Sequence, residues 1–414
     1  MEKLILFLSI ALTLGLLACQ NGQQPDNFQQ QAVELAHKYI ITDGHIYVPY
    51  RLRQQYLNDP AKIDDVSRRT EGGDFDYERA KAGGLDAPFM SIYVPSMYQR
   101  LGGAKRIADT LINMVVELAT THPDKFALAF SPNDIRRHFE KGIISLPMGM
   151  ENGAPIEESL DNVAYFHQRG IRYITLTHGK DNQICDSSYD TTRTHNGLSP
   201  FGERVVQEMN RVGIMVDISH VSDSAFYDVM KITRAPVIAS HSSLRYFTPG
   251  FERNMNDDML LALRDNGGVI MINFGSSFID STFQRKSEEM RAHLTQWMQE
   301  HKLGMGDPET RAYMQEYREK HLQFPTVEDV ANHIDRVVQL IGIDHVGFGS
   351  DFDGVGPTLP QGLEDVSCYP NLIRVLLERG YSEADIEKIC YKNLFRVWEA
   401  VEAVAAQQQS QDAG

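Results

Sequence analysis

The stretch Ala235-Pro236-Val237-Ile238-Ala239-Ser240-His241 runs apolar for five residues and then stops on a serine and a histidine. A run this apolar, without polar alternation, suits a strand buried on both faces, as in a parallel sheet. Seven more runs of the same character occur: Tyr39-Ile40-Ile41, Ala87 to Val94, Ile143 to Met148, Ile171 to Leu176, Gly213 to Ile218, Gly267 to Asn273 and His345 to Gly349. Amphipathic stretches separate most of them, among them Ala104 to Thr120, Pro200 to Arg211, Asp223 to Ile232 and Asp257 to Asp265. Eight strand-then-helix units predict an α/β fold, a closed (β/α)8 TIM barrel over residues 32–404, with a doubly wound open sheet as the alternative. Between the seventh and eighth runs, Ser281 to Phe324 is charged, helix-prone and broken by Gly304-Met305-Gly306-Asp307-Pro308. It predicts a helical insertion, either a surface elaboration or a lid over the barrel mouth.

The 414 residues are 42% hydrophobic and 23% charged, enough for a substantial core. A net charge of -16 disfavours nucleic acid and anionic lipid as partners. Leu4 to Leu17 is almost wholly apolar, too short to span a bilayer comfortably, and ends in Leu16-Leu17-Ala18-Cys19. This resembles a bacterial lipoprotein signal. The resemblance implies a signal peptide over residues 1–18, acylation at Cys19, and a protein exported to the cell envelope that meets the membrane through its lipid anchor alone. Residues 19–31 read as a flexible Gln-rich tether, and residues 405–414 as a frayed tail. Cys185, Cys368 and Cys390 are odd in number, so at least one thiol stays unpaired within the chain.

The chemistry sits where the runs end. Asp43-Gly44-His45 follows the first, Met150-Glu151 the third, Thr177-His178 the fourth, Ser219-His220 the fifth, Ser240-His241 the sixth and Ser350-Asp351 the eighth. In a parallel barrel these ends converge on one face. Any one of these histidines reads as a structural hydrogen-bonder. Four at four strand ends, out of 14 in the chain, together with two carboxylates, read as a divalent-metal site. Imidazole and carboxylate together suit Zn²⁺ best, with Mn²⁺, Co²⁺ or Fe²⁺ as alternatives. His195, His333 and His345 fall outside the pattern and read as structural, as do Arg172 and Tyr173 inside the fourth run.

At these residues the chain resembles the membrane dipeptidase (renal dipeptidase) family of metal-dependent amidohydrolases. The motifs are Asp43-Gly44-His45, Arg172 to His178, Asp217 to Ser222, Pro236 to Ser243, Gly267 to Phe274, His345 to Gly354, Gly362 to Ser367 and Asn393 to Val397. The resemblance implies a dipeptidase whose substrates are L,L-dipeptides and, from the family's tolerance of a D-residue, L,D-dipeptides, cleaved by metal-activated water. It implies one or two metals, with His45 on one, His220 and His241 on the other, and Glu151 bridging. It further implies that His178 contacts the scissile carbonyl, that Arg253 pairs with the substrate's carboxylate, and that Asp351 shuttles the proton. Family members are often homodimers, although no stretch of this chain marks an interface.

One position departs from the family pattern. An aspartate ligand is usual two residues after the first histidine, and here Tyr47 stands there. If the strand continues, its period of two turns Tyr47 toward the site. Tyr47 then either ligates a metal as phenolate, leaves the first site weak, or serves the substrate with its hydroxyl. Two rival functions follow: a related amidohydrolase acting on N-acyl amino acids or lactams, and a non-catalytic binding lipoprotein.

Overall fold

The computed structural model describes residues 25–412. The proposed signal peptide, Cys19 and the first part of the tether, through residue 24, lie outside them. Eight strands form one sheet in chain order: β1 (Ile41–Ile46), β2 (Leu85–Tyr93), β3 (Met148–Glu151), β4 (Ile171–Thr175), β5 (Met215–Asp217), β6 (Ile238–Ser242), β7 (Val269–Ile272) and β8 (Val346–Phe348). Every neighbouring pair is parallel. The sheet closes just beyond β8, where Ile46 bridges Phe352, Asp351 N–H donates to the His45 carbonyl (3.0 Å) and Tyr47 N–H to the Phe352 carbonyl (2.9 Å). This is the expected (β/α)8 barrel, joined at its seam by a few bonds rather than a long ladder.

Helix bounds follow the sequence pattern closely. Ala104–Thr121, Pro200–Val212, Asp223–Ile232 and Asp257–Asn266 are helices, each burying its apolar face in the layer outside the barrel. Inside, Phe89, Tyr173, Met215, Ile238, Val269 and Met271 fill the bore. Trp398 packs on Phe89 with ring centroids 5.4 Å apart. No helix among the described residues is long and apolar enough to cross a membrane.

Three sequence expectations are corrected. The third run is two elements: Ile144–Leu146 pairs with Phe126–Leu128 in a separate two-stranded sheet, and only Met148–Glu151 enters the barrel. Pro147 sits between them and has no N–H to extend a ladder. The expected tether reaches into a helix, Pro25–Lys38, whose Ala32, Leu35 and Ala36 are buried. The expected frayed tail is helical through Asp412, within Asn393–Asp412. Ala405 is buried there and Gln409 donates to the Arg211 carbonyl, so tertiary contacts override the polar composition. The insertion is helical as expected, Ser281–His301 and Pro308–His321, clasped by Trp297 stacked on Tyr313 at 4.3 Å.

Asp86, on β2, is buried and accepts a hydrogen bond from Ile41 N–H at 3.2 Å. Burial pushes its carboxyl up to about 7, against the pull of that N–H and of Lys81. An unfolded aspartate titrates near 3.9, so across the window from about 4 to about 7 the folded chain holds the extra proton. Stability contributed by Asp86 is therefore greatest below pH 4 and falls as pH rises through 7. Asp86→Asn keeps an acceptor for Ile41 and carries no charge. It should raise unfolding free energy at pH 8 by about 1–3 kcal/mol and have no such effect at pH 4. Denaturant melts at both pH values check this.

Candidate active site

The strand ends are fixed before any of them does chemistry. Asp43, fully buried, accepts from the backbone N–H of His45 (2.9 Å), from Ser350 N–H (3.0 Å) and from the Tyr369 hydroxyl (2.6 Å). It thus staples the end of β1 to the turn after β8. Gly44 lets β1 lie against β6, since a Cβ there would come 2.3 Å from the Ser240 carbonyl. His220 and Asp351 sit in the left-handed region, at φ of 68° and 65°. Non-glycine residues rarely adopt it, and such strain clusters at functional sites. Here it turns the chain sharply after β5 and just beyond β8, at the barrel mouth.

Glu151 lies at the centre. Its carboxylate is within 3.1 Å of His220 Nε2, 3.3 Å of His241 Nε2, 3.4 Å of His45 Nε2 and 3.6 Å of His178 Nε2. His220 Nε2 and His241 Nε2 are 2.9 Å apart, and the His45 and His241 rings stack at 3.8 Å. Burial alone would raise the Glu151 carboxyl, yet the surrounding imidazoles hold it well below the usual carboxylate range. Burial drives His220 and His241 well below an ordinary imidazole, and Arg253 pushes the same way. Burial also lowers His178. The fully buried His45 goes the other way, raised against its burial by the Glu151 charge; the ionised carboxylate with His178, His220 and His241 as neutral bases is the donor form that a cation requires.

Two imidazoles are held in a defined tautomer. The Tyr173 hydroxyl donates to the Gly44 carbonyl at 2.9 Å, so its oxygen accepts from His45 Nδ1–H at 2.6 Å. That leaves the His45 Nε2 lone pair facing Glu151. On the other side, Ser240 donates to Asp217 at 2.6 Å and accepts from His241 Nδ1–H at 2.7 Å, freeing His241 Nε2 in the same way. Asp217 is itself gripped by Thr175, Ser219 and Ser240. Among the described residues, buried His45 Nε2 and Glu151 Oε1 have no hydrogen-bond partner. Unpaired buried acceptors beside the Nε2 atoms of His220 and His241, in an imidazole–carboxylate set, fit a divalent cation. His45, Glu151 and His241 form one candidate triad, and Glu151, His178 and His220 another.

The other expected residues lie around this cluster. Asp351 accepts from Asn273 at 2.9 Å through Oδ2, while its Oδ1 has no partner among the described residues. Burial, aided by the Glu151 charge, pushes its carboxyl up to about 7 despite His45 and Asn273. Arg253 is buried, with its terminal nitrogens on Ser242 Oγ (2.8 Å) and the His241 carbonyl (2.6 Å), and its Nε without a partner among the described residues. Tyr47 faces the site by a different route from the one expected: β1 stops at Ile46 and Tyr47 is the N-cap of the helix Val48–Asn58. Its hydroxyl donates to Glu151 Oε2. Burial and the Glu151 charge raise that phenol well above 10, which opposes a phenolate. A cavity of about 730 Å³ opens over His178, His220, Tyr47 and Asp351 and is roofed by both insertion helices.

The sequence reading missed Tyr173 and Asp217 as groups that orient His45 and His241, and Asn273 as the partner of Asp351. Tyr173 reads as core because it lies mid-strand. Its one signal is the polar tip of an aromatic ring in mid-strand. His195, His333 and His345 instead bond backbone carbonyls, those of Asn182, Ile279 and Gly268.

Comparison with known proteins points the same way. A family profile described as membrane dipeptidase, peptidase family M19, matches residues 29–412. The dipeptidase tcpJ of Claviceps purpurea is 36% identical over 88% of this chain and 78% of its own length. The dipeptidase verJ of Clonostachys rogersoniana is 34% identical over 92% and 89%. Among solved structures, the probable dipeptidase PvdM from Pseudomonas aeruginosa superposes with a TM-score of 0.78 at 26% identity, covering 92% of this chain and all of its own. A metallo peptidase from Rhodobacter sphaeroides, solved with a phosphinate mimic of L-Ala-D-Ala, gives 0.70 at 25% identity over 88% and 99%.

Tyr173→Phe removes the acceptor that orients His45 without changing ring volume. Zn²⁺ titration against a competing chelator should show affinity reduced about 10- to 100-fold. Unaltered affinity would mean that His45 needs no such support.

Proposed function

The chain belongs to the membrane dipeptidase family, peptidase family M19, and from that premise we propose that it hydrolyses dipeptides at a divalent-metal centre formed by His45, Glu151, His220 and His241. The observation that carries this is Glu151, a buried carboxylate with four imidazole nitrogens within 3.6 Å, two of whose histidines, His178 and His220, line an open cavity. Zn²⁺ is the proposed metal, from the chemistry of the donor set. Such a cation supplies Lewis-acid polarisation of a carbonyl and a water acidic enough to attack near neutral pH.

The chain's own groups do the rest. Asp351, with one free oxygen and a carboxyl poised at about 7, takes the proton from the attacking water and delivers it to the leaving amine. His178 borders the cavity, its ring tilted against those of Tyr93 and His220 with centroids 4.7 and 4.3 Å apart, and hydrogen-bonds the carbonyl oxygen as charge develops on it. Arg253, braced by Ser242 and the His241 carbonyl, offers its remaining N–H groups to the substrate carboxylate. L,D-dipeptides belong to the proposal alongside L,L, with support from the Rhodobacter relative's L-Ala-D-Ala mimic. Turnover of L-Ala-L-Ala and L-Ala-D-Ala with Zn²⁺ or Mn²⁺, abolished by a chelator, is the expected result. Hydrolysis of N-blocked amino acids alone would replace this reading with the related amidohydrolase, and no turnover at all would remove it.

Tyr47 bears on how many metals bind. Its hydroxyl is committed to Glu151 and its ionisation is disfavoured. We therefore infer one firmly bound cation and a weak first site. Tyr47→Asp should add close to one equivalent in metal analysis after dialysis. An identical metal content in the variant would defeat that inference.

A further inference from the structure

The barrel floor explains hydrolysis, but the cavity above it is larger than two small residues need. Its volume of about 730 Å³ suits a drug-sized ligand. Much of its roof is apolar: Met290 and Leu294 come from the first insertion helix, Met314 from the second, with Met305 and Leu322 flanking the latter. A second cavity of about 760 Å³ continues outward and shares Met314, Arg318 and Leu322 with the first.

Two arginines of the insertion line this roof, Arg291 from an exposed position and Arg318 half-buried. Arg285 and Lys320 pair with Glu289 and Glu316 one helical turn away, at 2.7 and 2.5 Å. Arg291 and Arg318, which line the cavity, have no ion-pair partner among the described residues. The one side-chain hydrogen bond of Arg291 is a long one, 3.4 Å, to the Ser287 carbonyl of its own helix. The acidic lining is limited to Asp351 on the floor and Glu288 on the wall.

Resting on the dipeptidase reading, we propose that the insertion selects dipeptides bearing a long apolar side chain that ends in an anionic group, the methionine- and leucine-lined roof taking the chain and Arg291 with Arg318 its terminal charge. A small dipeptide leaves both guanidinium groups untouched. A side chain with a carboxylate tip satisfies them while covering apolar wall that water would otherwise wet.

The test compares Nε-succinyl-lysyl-glycine with Nε-pentanoyl-lysyl-glycine, nearly equal in length and differing in the terminal charge, with alanyl-glycine as reference. The unmodified enzyme should prefer the succinyl substrate about tenfold in kcat/KM, as expected for two partly exposed ion pairs, and the preference should shrink as salt is raised. In the Arg291→Gln/Arg318→Gln double variant the ratio should fall to near 1, whereas the Lys/Lys pair at these positions should retain most of it. That conservative control is Arg291→Lys/Arg318→Lys, and because each ratio is taken within one protein, losses of overall activity cancel. An unmodified enzyme that treats the two acylated substrates alike, or a double variant that keeps the preference, overturns the proposal while alanyl-glycine turnover upholds the dipeptidase reading. Failure on all three substrates overturns that reading as well.

Discussion

A carboxylate sealed from water is costly to ionise, and Glu151 sits ionised at the heart of this barrel. What makes that tolerable is the ring of imidazoles from four other strand ends, each within 3.6 Å. The arrangement is all or none. Remove the convergence and Glu151 becomes an unpaired buried charge, while the histidines become unsatisfied buried bases. The imidazoles depend in turn on a second layer, Tyr173 behind His45 and the Ser240–Asp217 pair behind His241. Asp43 fixes the seam that brings β1 beside the end of β8.

The two ends of the barrel divide the work. Below, Trp398, Phe89 and the bore residues form an apolar plug that gains stability from burial. Above, His220 and Asp351 take left-handed backbone angles, and several polar atoms lack partners. A parallel barrel permits this separation because all strand C-termini face one way.

The insertion between β7 and β8 changes what that mouth is. Without it the site would be an open bowl; with it, the floor residues share a chamber with two helices whose inner faces are apolar and cationic. The floor sets the reaction and the roof is placed to sort what reaches it. These helices are held to each other largely by a surface cluster of Trp297, Tyr313, His293 and Tyr317.

Much of this was legible in the chain. Eight apolar runs, the helices between them and the histidines at their ends follow from two simple rules, that strands buried on both faces are apolar and that parallel strands end on one side. Pro147, the helical tether and the helical tail were misread because local composition says nothing about what packs against a segment. Tyr173 and Asp217 were hidden for a similar reason. A side chain's role as an orienting partner depends on an atom from another strand arriving within 3 Å, and no pattern within its own strand records that. The residue types, their positions at strand ends and the exceptional Tyr47 belong to the sequence. That Tyr47 caps a helix and binds Glu151, that Arg291 and Arg318 line the cavity, and that an insertion beginning at Ser281 helps enclose the site of His220 were decided only when the sheet closed, because closure sets distances that sequence separation does not.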